Sequence, residues 1–119
     1  MNTYDEFQRA QMFFDARDYI SASRILAPVA EAEPGNGSVA ELLARAYFHS
    51  AQLGRAEDAF RRLLEIAPGN GWAYEAMART LERRNRSDEA ARYRKLATAM
   101  GVTPSEEIQV SVTAANLAD

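Results

Sequence analysis

Apolar positions in the middle of the chain fall on two helical stripes. Ala40, Leu43, Ala44 and Tyr47 stand at i, i+3, i+4 and i+7, and Ala56, Phe60 and Leu63 at i, i+4 and i+7. Ser50 to Gly54 leaves room for a short turn between them, and Pro68-Gly69 closes the second stripe. The pattern predicts a helical hairpin. Gly54 inside Leu53-Gly54-Arg55 lets the turn slide by about three residues.

The hairpin is repeated. Pro-Gly-Asn-Gly occurs at 34–37 and again at 68–71, a period of 34 residues. Self-similarity at such a spacing marks one supersecondary unit stacked on copies of itself. It divides the chain into units of about 3–36, 37–70 and 71–104, a domain over 1–104, with a tail at 105–119. Shifted by one period, the middle unit's stripe becomes Tyr74, Met77, Ala78, Leu81, Ala90, Arg94, Ala97 and Val102. Shifted back, it becomes Glu6, Arg9, Ala10, Phe13, Ala22, Leu26, Val29 and Pro34. Alanine holds at 10, 44 and 78 and at 22, 56 and 90, where closely packed helices require a small residue.

These positions resemble the tetratricopeptide repeat, whose pattern is W-x2-L-G-x2-Y, then A-x3-F, an alanine and a closing proline. The resemblance covers about 3–104. It implies an all-α fold: three helical hairpins stacked as a short right-handed α-solenoid. The departures fall in the terminal units, each of which has one face without a neighbour. Glu6 and Arg9 are polar where the pattern is apolar, Arg94 replaces an aromatic, and the third unit closes two residues late, at Pro104. Pro28 lies inside a predicted helix, where its missing N–H is expected to bend the helix or break it near Leu26.

Thr3…Glu6, Ser38…Glu41 and Thr103…Glu106 fit capping boxes, and Asp18 and Ser87 are candidate caps for second helices. The tail carries two patterns. Ile108, Val112 and Ala115 stripe a helix that starts at Thr103-Pro104, whereas Ile108, Val110 and Val112 alternate with polar residues as in a strand. A short cap helix that frays into a mobile end from residue 113 is the reading adopted.

The 119 residues are 47% hydrophobic and 26% charged, ordinary for a soluble domain. Met1 to Arg9 holds three charged side chains and no apolar core segment, and no apolar run is long enough to span a bilayer. A cytoplasmic protein with no membrane partner is expected. The net charge of −3 conceals a gradient. Residues 1–36 carry three bases and six acids, 37–70 four of each, 71–104 seven bases and four acids, and 105–119 three acids.

Little here supports catalysis. There is one histidine, His49, and no cysteine, so a serine triad could only use His49, and thiolate metal sites are unavailable. No Lys-Ser or Lys-Thr follows the Gly-Asn-Gly segments, which are turns and not phosphate loops. Glu41 and Glu75 each precede an arginine by four residues, Arg45 and Arg79, the favourable order for a solvated intrahelical pair. The expectation is a non-enzymatic chain with no cofactor and no metal.

The resemblance implies a concave face lined by the first helices of successive units, along which peptides or partner helices lie. Mapped onto this chain, that face holds Phe7, Gln11 and Phe14, then Leu42, Arg45, Phe48 and His49, then Trp72, Ala76, Arg79 and Arg83. Aromatic and arginine side chains carry much of the energy at interfaces. Phe7, Phe48 and Trp72 also suit a core; of these Trp72, directly after the turn, is the expected exposed anchor, and His49 a surface bystander. The lysine, asparagine and arginine clamp by which some family members read a terminal carboxylate is absent, since its places hold Phe7, Gln11, Leu42, Trp72 and Ala76.

The sequence thus predicts a protein-interaction module or adaptor that takes an acidic-apolar peptide or helix in its groove, oriented by arginines. One alternative is a homo-oligomeric, self-associating scaffold in which the acidic first unit meets the basic third unit of another copy, or the acidic tail occupies its own groove. The other is RNA binding through Arg79, Arg83, Arg84, Arg86, Arg92, Arg94 and Lys95; the single lysine and acidic total argue against a nucleic-acid partner.

Overall fold

A computed structural model describes residues 2–102. Among them six α-helices follow one another: α1 (Thr3–Asp15), α2 (Tyr19–Ala32), α3 (Gly37–His49), α4 (Leu53–Ile66), α5 (Gly71–Arg83) and α6 (Ser87–Ala99). They form three hairpins, with α2 packed on α3 and α4 on α5 to join one hairpin to the next. The 34-residue period is kept to the residue at the starts of α1, α3 and α5. The turn inside each hairpin passes through one left-handed residue: Arg17, Ala51 and Asn85, with φ of 65°, 60° and 63°. The sharp reversal is thus built at the same place three times, and only Asn85 is a residue that tolerates it readily.

Packing follows the repeated alanines. Ala10, Ala44, Ala78, Ala22 and Ala56 have no exposed surface and Ala90 almost none. One cluster joins the first two hairpins through Phe14, Leu26, Val39 and Leu43. A second joins the last two through Phe60, Leu63, Met77 and Leu81. At roughly 25 cal/mol per Å² of apolar surface, these junctions are the main source of stability in a stack whose single hairpins have too little core.

The helix starts differ from the sequence reading. Asn2, Asn36 and Asn70 are the N-caps of the first helices, accepting from the backbone N–H of Asp5, Val39 and Ala73. Thr3 and Ser38 lie at or inside the first turn, so neither heads a capping box. Each Asn immediately precedes its helix and presents a carbonyl oxygen at the right reach, which leaves the later hydroxyl nothing to cap. Asp18 does cap α2, accepting from Ser21 N. Ser87 does not cap α6: Arg86 stands at that place and makes no side-chain capping bond.

Pro28 does not break its helix, because α2 runs unbroken from Tyr19 to Ala32 around it. Its ring is exposed, so the helix loses one backbone hydrogen bond without a buried clash. The middle turn is shorter than Ser50 to Gly54, since α4 already begins at Leu53. Thr103…Glu106, Pro104 and the tail readings lie outside the described residues.

Candidate functional site

The first helices α1 and α3, with the end of α4, enclose a concavity of about 480 Å³. Phe7, Gln11 and Phe14 from α1 and Leu42 and Arg45 from α3 line it. Gln11 and Phe14 follow Phe7 at i+4 and i+7, so one helical stripe delivers all three to the same wall. Leu42 and Arg45, three residues apart, do the same from the facing helix. The Gln11 amide donates to Asp15 at 3.0 Å, fixing its orientation along the wall.

Polar side chains that the sequence reading left out complete the rim. Ser38, Glu41 and Asn70 also line the concavity. Asn70 joins the two through its amide, which donates to Glu41 Oε1 at 3.5 Å, while Glu41 pairs with Arg45 at 3.1 Å. The signal for Asn70 was present in the sequence: it is the asparagine of the repeated Pro-Gly-Asn-Gly.

The remaining expected residues are placed elsewhere. Trp72 is half-buried, packs edge-on against Phe60 at 5.9 Å, and is covered by the Arg45 guanidinium 4.2 Å from its ring centroid. It is therefore no exposed anchor, because its ring completes the core between the second and third hairpins. Phe48 is buried in the same core and carries Arg83 over its ring at 5.1 Å. Two cation–π contacts thus run in opposite senses between α3 and α5. Ala76 has no exposed surface and offers nothing to a ligand.

His49 is not a bystander on the surface. It stacks on Tyr19 at 4.9 Å and meets the edges of Phe14 and Phe48 at 5.8 and 5.6 Å. Burial, and then the charges of Arg45 and Arg83, lower its pKa from 6.5 to about 4. The imidazole is neutral at physiological pH and serves as an aromatic spacer.

The two glutamate–arginine pairs differ in kind. Glu41 and Arg45 are partly exposed, as a solvated pair should be. Glu75 has no exposed surface, and its carboxylate lies 3.3 Å from Arg79 and 3.3 Å from Arg94 of α6. The reading of Glu75 as a surface pair is overturned by the third hairpin, which folds Arg94 over it. Four of the seven bases of the third unit are committed to acids: Arg79 and Arg94 to Glu75, and Arg84 and Arg86 to Glu57.

Among the described residues no group of histidine, cysteine, aspartate and glutamate is arranged to hold a metal ion. No helix among them is long and apolar enough to cross a membrane.

Comparison with known proteins now places the stack. Residues 38–80 match the tetratricopeptide repeat family model. The stack contains a tetratricopeptide repeat. Its fold is that of solved MamA structures. MamA MSR-1 superposes with a TM-score of 0.80 at 26% identity, over 84% of this chain and 57% of that one. A D159K mutant of MamA gives 0.81 at 27% identity, over 92% and 60%. MamA 41-end from Desulfovibrio magneticus RS-1 gives 0.75 over 81% and 54%, and at 18% identity shows the fold alone. This chain therefore spans less than two-thirds of the length of these structures. No curated protein matches it. The tetratricopeptide fold is that of a protein-interaction repeat module.

Proposed function

We propose that this chain binds an acidic-apolar segment of a protein partner in the concavity between α1 and α3. The supporting observation is the convergence of Phe7, Gln11, Phe14, Leu42 and Arg45 on one hollow of about 480 Å³. Phe7 and Leu42 supply apolar contact, and Gln11, Ser38 and Asn70 supply hydrogen bonds to a peptide backbone. Arg45 is held by Glu41 and Trp72, so it arrives oriented and loses little freedom on binding. Arg83, exposed at the far end over Phe48, extends the positive charge along the same face. Affinity capture from native extract tests this with wild type against Phe7→Ala plus Arg83→Glu, after both are shown to be equally helical. A partner held by wild type and lost by the variant supports the groove; a partner held equally by both removes it.

A second reading, self-association in a cytoplasmic scaffold, is favoured by the ends of the stack. Tyr4 and Met12 on α1 are 69% and 70% exposed, and Leu96 and Met100 at the other end are 45% and 44% exposed. The first unit is acidic and the third basic. A mass that does not change with concentration in low salt would end it.

A further inference from the structure

Because the hairpins repeat at 34 residues, each position at the first junction has a counterpart at the second. At the second junction the buried Glu57 of α4 gathers three arginines. Its Oε1 accepts from Arg84 and Arg86, each at 2.7 Å, and its Oε2 lies 2.6 Å from Arg61. Burial alone would raise the Glu57 pKa, but the hydrogen bonds from Arg61 and Arg86 outweigh it and hold the carboxyl below its ordinary range. A carboxylate here ties α4 to the α5–α6 turn.

At the first junction that cluster is missing as a set. Ser23 stands for Glu57, Ala27 for Arg61, Ser50 for Arg84 and Gln52 for Arg86. The shorter side chains leave a cavity of about 510 Å³ between α2 and α4, with Ser23, Ala27 and Gln52 in its lining. The charge of the rim is reversed as well. Arg24 and Arg55 occupy the places that Asp58 and Glu89 hold one repeat later, and both line the cavity. Its lining contains no acid, whereas four other cavities of the stack each have at least one.

Of the nearby acids, Asp18 has partners of its own and also attracts Arg24, and Asp58 lines the adjoining cavity with Arg55. Asp18, close to Arg24, accepts from the backbone and hydroxyl of Ser21 at 3.0 and 2.7 Å. Asp58, one turn along α4 from Arg55, lies 3.9 Å from Arg61. Arg55 donates to Gln52 Oε1 at 2.9 Å, and Gln52 donates to Ser50 at 2.8 Å. These neutral partners orient the Arg55 guanidinium without cancelling its charge. Gln52 keeps a second amide proton for a ligand. Ile20, 50% exposed at the same cavity, adds apolar surface beside the two cations.

We infer that this cavity receives the carboxylate side chain of an aspartate or glutamate on a partner protein, where the chain's own Glu57 sits one repeat later. Arg24 and Arg55 supply the charge, Gln52 a hydrogen bond, and Ile20, Ala27 and Tyr47 contact the apolar flank of the segment. The site shares no lining residue with the α1–α3 concavity, so the two can fail independently.

The full ¹⁵N-labelled chain is titrated with an end-blocked peptide carrying one glutamate between leucines, and with the same peptide carrying glutamine. The glutamate peptide is expected to move the Ser23 and Gln52 amide and Arg55 Nε signals. Binding is expected to weaken at least about tenfold for the glutamine peptide, and likewise for Arg24→Glu plus Arg55→Glu. Equal binding of both peptides, or shifts that survive the double substitution, overturn the inference. Sodium propionate separates the possible sources. If it matches the glutamate peptide mole for mole, the site is one for small anions and the protein assignment falls. A ligand-free arm uses Ser23→Glu, which should keep the wild-type melting temperature, block the peptide, and destabilise only when both arginines are reversed. If Ser23→Glu unfolds the chain while both arginines remain, the cavity does not accept a carboxylate.

Discussion

The Arg94 guanidinium of α6 rests on the carboxylate of Glu75, a side chain of α5 with no exposed surface, at 3.3 Å from Nε to Oε1. Arg94 occupies the place where Phe60 fills the core one repeat earlier. The last hairpin has therefore exchanged an apolar contact for an ion pair. Arg94 also reaches Glu82 at 3.1 Å, so it spans two turns of α5.

Removing one partner strands the other. Arg94→Ala should destabilise the chain by about 2–3 kcal/mol, less than a fully buried pair would cost, because Arg79 still reaches Glu75 and Arg94 is partly exposed. Glu75→Leu with Arg94→Phe should lie within about 1 kcal/mol of wild type, since apolar residues of similar volume replace a buried pair at little cost. Urea unfolding of the three chains checks the order. A double variant weaker than Arg94→Ala would contradict it.

The asparagine caps give a second contrast. Asn36→Ala and Asn70→Ala should each cost about 1 kcal/mol, while Ser38→Ala should cost almost nothing. Thermal melts of the single variants read this directly, and a loss at Ser38 equal to that at Asn36 would restore the capping box.

His49 makes stability depend on pH. Its folded pKa is about 4 against an ordinary 6.5, so between those values the unfolded chain binds the extra proton. The stability that follows from keeping it neutral is complete above about pH 6.5 and is lost as pH falls toward about 4. The melting temperature should fall across that window in wild type and much less in His49→Phe. Carboxylates with lowered pKa, such as Glu57 and Glu82, begin to lose their contribution as pH falls through the ordinary carboxylate value of 4.5, so they overlap only the lower end of this window.

Pro28 lies within a continuous helix and is exposed. Pro28→Ala restores a backbone donor and should stabilise the chain by about 1–2 kcal/mol. A lower denaturation midpoint would show that the ring contributes packing that its exposure does not suggest.

The sequence by itself determined the repeat, the six helices and the buried alanines at 10, 44, 78, 22, 56 and 90. These depend on local periodicity and on sterics that recur every 34 residues, and both can be read along a line. Five of the expected groove residues also meet in one hollow, because spacing along a helix fixes which side chains share a wall. Only the tertiary structure decided the rest: that Trp72 and Phe48 turn inward under arginines, that His49 is enclosed by rings, and that Glu75 is buried beneath Arg94. Each outcome depends on which helix lies across the one that carries the residue. A residue's own neighbours in sequence do not record that, since the partners stand 19 to 35 positions away and meet only when the hairpins stack.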